Sequence, residues 1–145
     1  MPGRRMFPML GAALFFGALA LQPSDIAPAA TLAAAAERQA QSFSTLTSQE
    51  LALMLQRKDF FFVNVHVPYE GEIEGTDAFI PYDLISKKMD TLPKDKNAKI
   101  VLYCRSGRMS ELAARELSRL GYTQVSHLAG GMIDWEKNGQ QVVRK

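Results

Sequence analysis

The chain has 145 residues, 47% hydrophobic and 22% charged, with a formal net charge of +2. That composition suits one globular domain with a real core. Setting aside residues 1–29 removes Arg4, Arg5 and Asp25 from 17 basic and 15 acidic side chains. It leaves 15 against 14, so neither a polybasic field for nucleic acid nor an acidic tail is present.

The first 29 residues carry a basic pair, Arg4 and Arg5, and an apolar run from Met9 to Leu21, followed by small residues. The run spans 13 residues, against the roughly 20 that a membrane-crossing helix needs. This is the pattern of a secretory signal, with Ala18-Leu19-Ala20 and Ala27-Pro28-Ala29 both suited to cleavage. Export to the periplasm or medium is therefore expected, without a stable membrane span. Residues 30–42 are alanine-rich and read as a linker or frayed helix. The folded domain is expected over 43–145.

Within that domain, Thr47 and Glu50 form a T-x-x-E capping box, predicting a helix to about Arg57 with Leu51, Met54 and Leu55 as its stripe. Residues 60–67, FFFVNVHV, read as a strand buried on both faces. Pro68, Gly71 and Gly75 make 68–79 a loop. A helix is expected from Pro81 to Leu92, and a second buried strand over 99–104. A third helix is expected from Ser110 to Leu120, with Leu112, Ala113, Leu117 and Leu120 on its inner face and Gly121 as its stop. A strand over 123–128, a turn at Gly130-Gly131 and a short helix complete the pattern. Alternating strands and helices imply an α/β layer fold with a parallel sheet, in which ligands bind at the carboxyl ends of strands.

Cys104, the one cysteine of the chain, stands at such an end. After it come Arg105, Ser106, Gly107, Arg108 and Met109, and then Ser110 at the expected helix start. A loop winding into a helix N-terminus turns backbone N–H groups inward, and the helix dipole adds partial positive charge. Two arginines reinforce this setting. It stabilises a thiolate and attracts an anion to it. A free cysteine also serves as a small core residue elsewhere, but two arginines and a glycine beside it argue against a purely apolar site. An unpaired thiol in an exported chain is either reactive or engaged between molecules.

Taken together, FFVNVHVP, GEIEGTDAFIPYDLI, IVLYCRSGRMS and LGYTQVSHLAGGMIDWEKNG resemble the single-domain rhodanese family over roughly residues 43–145, with the small exported sulfurtransferases the nearest type. The resemblance implies a rhodanese-like α/β fold: a central, mostly parallel sheet flanked by helices. It implies ping-pong sulfur transfer through a Cys104 persulfide, from a donor such as thiosulfate to cyanide or a thiol. Arg105, Ser106, Gly107, Arg108, Met109 and Ser110 would form the substrate-binding loop, with Arg105 and Arg108 orienting the donor. No metal or organic cofactor is implied. The expected partners are a small-molecule donor and acceptor, and possible recipients include a partner thiol protein. The sequence departs from the family at Asn64 and His66, where Asp and Arg are usual. It departs again at Glu72, where His is usual, and at Met109, whose arginine stands one place earlier as Arg108.

Two rival classes fit parts of the pattern. A persulfide carrier or non-enzymatic module would serve a partner protein. A cysteine phosphatase or arsenate reductase would need Arg six places after the cysteine, where Ser110 stands. Of the remaining polar residues, His66 is read as a strand-end residue ahead of an acid/base one, and His127 as structural. Glu70, Glu72, Glu74 and Asp77 read as a solvated acidic loop that could border the entrance. Trp135 is expected to pack the last helix on the sheet.

Overall fold

The computed structural model describes residues 29–40 and 42–145. Residues 1–28, where a secretory signal is expected, lie outside the described residues. The alanine-rich segment begins with a helix, α1 (Ala29–Ala40), and the domain follows as β1 (Ser44–Leu46), α2 (Ser48–Leu55), β2 (Phe61–Asn64), β3 (Glu72–Ile73) and β4 (Ala78–Phe79). A 3-10 helix spans Tyr82–Lys87. Then come β5 (Lys99–Tyr103), α3 (Arg108–Arg119), β6 (Gln124–Leu128), α4 (Gly131–Lys137) and β7 (Val142–Val143). Among the described residues no helix is long and apolar enough to cross a membrane.

Five strands form one sheet in the order β1-β6-β5-β2-β4, every pair parallel. β3 and β7 pair antiparallel as a separate ribbon. The pleat sends alternate side chains of β2 and β5 to opposite layers. Phe62, Val101 and Tyr103 pack with Leu51 of α2 and with Met132 and Trp135 of α4. Val63, Ile100, Leu102 and Cys104 pack with Ala113, Ala114 and Leu117 of α3 and with Ile85 of the 3-10 helix. Both faces of the central strands are covered, as their unbroken apolar runs require. Trp135 is buried as expected, and its indole N–H donates to Gln141 O at 3.0 Å.

Several elements differ from the sequence reading. The capping box at Thr47 and Glu50 is present. The strand expected over 60–67 is shorter, because the Asn64 side chain accepts from His66 N and draws the chain out of the ladder. The expected loop 68–79 contains β3 and β4, which at two residues each leave no alternation to detect. The expected helix 81–92 is a single 3-10 segment. Leu112, expected inside, is 47% exposed; Ala114 takes its place, its small side chain letting α3 approach the sheet closely. α3 also starts at Arg108 rather than Ser110.

Tyr103 ends β5 fully buried, accepting from Ile73 N at 2.9 Å and sharing a 2.7 Å hydrogen bond with Thr76 Oγ1. Burial pushes its phenol up to about 12, partly opposed by these two hydrogen bonds. The unfolded phenol titrates near 10, so the folded state keeps its proton longer. This contribution is complete below about pH 10 and disappears as pH rises through about 12, a loss of about 2–3 kcal/mol. Urea unfolding at pH 9 and pH 12 is expected to show that fall, and Tyr103→Phe to show a smaller one. Equal falls in both proteins would assign the alkaline loss to other groups.

Candidate active site

The end of β5 delivers Cys104, and after three intervening residues the chain enters α3 at Arg108. The turn between them depends on Gly107, which caps α3 with φ 98°, a left-handed conformation that suits glycine. Space demands glycine as well. A Cβ there would lie 1.8 Å from Ala129 O at the end of β6. A second glycine closes the other side: a Cβ on Gly131 would lie 2.4 Å from the Arg105 carbonyl and 2.5 Å from Cys104 O. The first turn of α4 then holds the loop from below. Met132 N donates to Cys104 O at 2.9 Å and Ile133 N to Arg105 O at 3.0 Å. Gly131 thus does more than turn the chain; it admits the loop backbone against α4, while a Cβ on Gly130 would meet the Asp134 side chain at 2.2 Å.

The thiol sits inside this frame. Cys104 is 1% exposed, and its Sγ accepts a hydrogen bond from Gly107 N at 3.0 Å. An α-helix leaves its first N–H groups without intrahelical acceptors. In α3 these belong to Arg108, Met109 and Ser110, at the positive end of a 12-residue helix. Because α3 starts two residues earlier than expected, these three belong to its first turn rather than to a free loop. Ser110 Oγ lies 3.7 Å from Cys104 Sγ, donates to Gly107 O at 3.0 Å, and is 3.1 Å from His127 Nδ1.

The other expected loop residues separate by side. Arg105 borders a depression of about 400 Å³ with Glu70, Ile133 and Arg144. Arg108 borders another, of about 670 Å³, with Ser106, Glu111 and His127. The two arginines therefore face different hollows, and the structure does not bring them together as one clamp. Met109 is half-buried and packs on the core beneath α3.

Of the acidic loop, Glu70 reaches the site. Its Oε2 lies 3.4 Å from Arg105 Nε and 3.4 Å from His66 Nε2. Glu72 instead pairs with Lys145, and Asp77 accepts from Phe62 N and pairs with Lys58. His66 is buried, and its Nε2 makes no hydrogen bond. His127, read from sequence as structural, lies against the loop through Ser110. It is buried in β6, 17 positions beyond Ser110, and only the parallel register places them together. Burial pushes its imidazole below the usual range, partly offset by the Glu111 carboxylate. Among the described residues, no three His, Cys, Asp or Glu side chains are grouped to hold a metal ion.

Such a site, a thiol accepting a backbone N–H where a parallel strand meets a helix N-terminus, can attack an anionic electrophile and hold the charge that results. Comparison with known proteins agrees in family. The family model of the rhodanese-like domain matches residues 47–138. A sulfurtransferase of Allochromatium vinosum is 38% identical over 100 residues, covering 66% of this chain and 87% of that protein. A tRNA uridine(34) hydroxylase of Erwinia tasmaniensis is 31% identical over 102 residues, 66% of this chain but 29% of that longer protein. Among solved structures, a rhodanese-related protein of Thermoplasma volcanium superposes with a TM-score of 0.60 at 25% identity, covering 70% of this chain and 99% of that one. The sheet, the cysteine loop and the matched span together make this chain a member of the rhodanese-like domain family, among whose relatives is a sulfurtransferase.

Proposed function

We propose that the chain moves a sulfane sulfur from an anionic donor such as thiosulfate to cyanide or a thiol, through a persulfide on Cys104. The observation that carries this reading is the Gly107 N–H donating to Cys104 Sγ at 3.0 Å at the N-terminus of α3. A backbone N–H donated to a sulfur at a helix N-terminus favours the charged form that attacks.

The first half-reaction is attack of the Cys104 thiolate on the outer sulfur of thiosulfate. A Cys104 S–S bond forms, the donor's S–S bond breaks, and sulfite leaves with the electron pair. The free amides of Arg108, Met109 and Ser110 hold the outer sulfur's charge as an oxyanion hole would. In the second half, cyanide takes the outer sulfur as thiocyanate and returns the thiolate. Intact-mass analysis after thiosulfate tests the reading. A gain of about 32 Da on Cys104, lost on adding cyanide, is the covalent step of thiol catalysis. A gain only with polysulfide would move the function to a relay between proteins. No gain with any sulfane donor would sink the proposal.

Arg105 is the donor-orienting residue of choice, because it lies beside the loop mouth and is held by Glu70. That pair is exposed, so it is weak and easily exchanged. Arg105→Ala is expected to raise the KM for thiosulfate about 3- to 10-fold, while Glu70→Gln lowers it about twofold by freeing the guanidinium, changes on the scale of one exposed ion pair. Initial-rate kinetics over a thiosulfate series read both. A KM unmoved by either substitution would place donor binding elsewhere.

A further inference from the structure

The scheme above leaves the buried imidazole of His127, beside the loop, without a task. Ser110 Oγ is fully buried and sits among three polar atoms: Gly107 O, Cys104 Sγ and His127 Nδ1. A hydroxyl has one proton and two lone pairs. Gly107 O can only accept, so in the resting thiol state it takes the Ser110 proton at 3.0 Å. The lone pairs of Oγ then face the Cys104 S–H and His127 Nδ1. For the second of these contacts, at 3.1 Å, to be attractive, Nδ1 must carry a proton.

Ionisation of Cys104 changes one partner. A thiolate can only accept, so the Ser110 proton gains by turning from Gly107 O to Sγ. Gly107 O is not orphaned by this, because Glu111 N also donates to it at 3.0 Å. The His127 Nδ1–H continues to fill an Oγ lone pair and opposes the hydroxyl's turning its proton towards the ring. We propose that His127, as the Nδ1–H tautomer, is a positioning residue: it aims the Ser110 hydroxyl at the Cys104 sulfur when that sulfur is charged.

The surroundings keep the ring neutral and fixed. Charged groups near it come from α3, where Arg108 and Glu111 line the same hollow. From the β1 side it meets the uncharged Phe43, whose ring stands edge-on at 5.4 Å, and Thr45, its register partner. Across the sheet it is opposite Leu102 of β5. Burial disfavours the imidazolium, consistent with a neutral donor rather than a general base.

The inference rests on Cys104 acting as a thiolate, as the sulfur-transfer reading requires, but it is tested without sulfur. Iodoacetamide alkylation of Cys104 is followed by mass across pH 5–10 in the full chain. His127→Phe keeps a ring against Phe43 and removes the N–H. It is expected to move the midpoint of the pH–rate profile up by about one unit, slowing alkylation at low pH roughly tenfold. Ser110→Ala should move it equally, the double variant no further, and His127→Asn, whose amide can donate in the same place, should recover most of the shift. A wild-type midpoint in His127→Phe, or equal shifts for Phe and Asn, would overturn the proposal. Nitrogen NMR of the unsubstituted protein is a second reading independent of refolding: a protonated Nδ1 is expected, and a protonated Nε2 with bare Nδ1 would overturn it. Failure to load sulfur from any sulfane donor, with these shifts intact, would count against the function alone.

Discussion

Cys104→Ser is expected to bring thiosulfate-to-cyanide transfer down to the uncatalysed rate, a fall of at least about a thousandfold, because the route through a covalent intermediate is closed. The serine hydroxyl remains protonated at neutral pH and is a poor nucleophile towards sulfur. Folding is expected to survive. Serine is slightly smaller than cysteine, Gly107 N still finds an acceptor, and Ser110 and the core beneath are unchanged. A stability change of about 1 kcal/mol is the ordinary range for such a substitution. The measurement is thiocyanate formation together with a thermal melt. Turnover within tenfold of the unsubstituted chain, in a folded variant, would exclude Cys104 as the sulfur carrier and with it the proposed mechanism.

The segment carrying that residue was also the most legible part of the sequence. A strand of β-branched residues, a cysteine, a small basic loop and an amphipathic helix are all local patterns, and β5, Cys104 and α3 follow in that order, with α3 starting two residues early. The Thr47 capping box is equally local. What local pattern could not supply is pairing across the sheet. β1 and β7 are three and two residues long and gain their hydrogen bonds from distant partners. His127 looks like any polar residue in a strand until parallel pairing sets β6 beside β5 and under α3. Glu70 looks like its acidic neighbours until the chain folds it onto Arg105. The inner face of α3 differs from the hydropathy pattern for a related reason. Hydropathy favours Leu112, but the sheet accepts a helix that presents Ala113, Ala114 and Leu117. Size at a close contact overrules apolar character.

Gly107→Ala is expected to have the second-largest effect, and it separates the loop's geometry from the thiol's chemistry. Two penalties act together. The left-handed φ of 98° costs an L residue about 1–2 kcal/mol. The added Cβ would meet Ala129 O at 1.8 Å, backbone against backbone, with no flexible side chain to yield. Relief requires the loop to withdraw from β6, which moves Gly107 N away from Cys104 Sγ and pulls against the α4 amides holding Cys104 O and Arg105 O. Transfer is expected to fall more than 100-fold, the scale seen when a preorganised charge-stabilising donor is lost. The thermal midpoint should drop by more than about 10 °C, as a loss of some 3 kcal/mol would produce in a domain of this size. Gly121→Ala is the matched control. Gly121 also has a positive φ, 93°, but a Cβ there meets nothing within 4 Å. It should show the backbone penalty alone, with transfer intact. If Gly107→Ala kept turnover within tenfold while melting early, the loop amides would be structural, and the thiolate's stabilisation would have to come from Ser110 and the helix dipole.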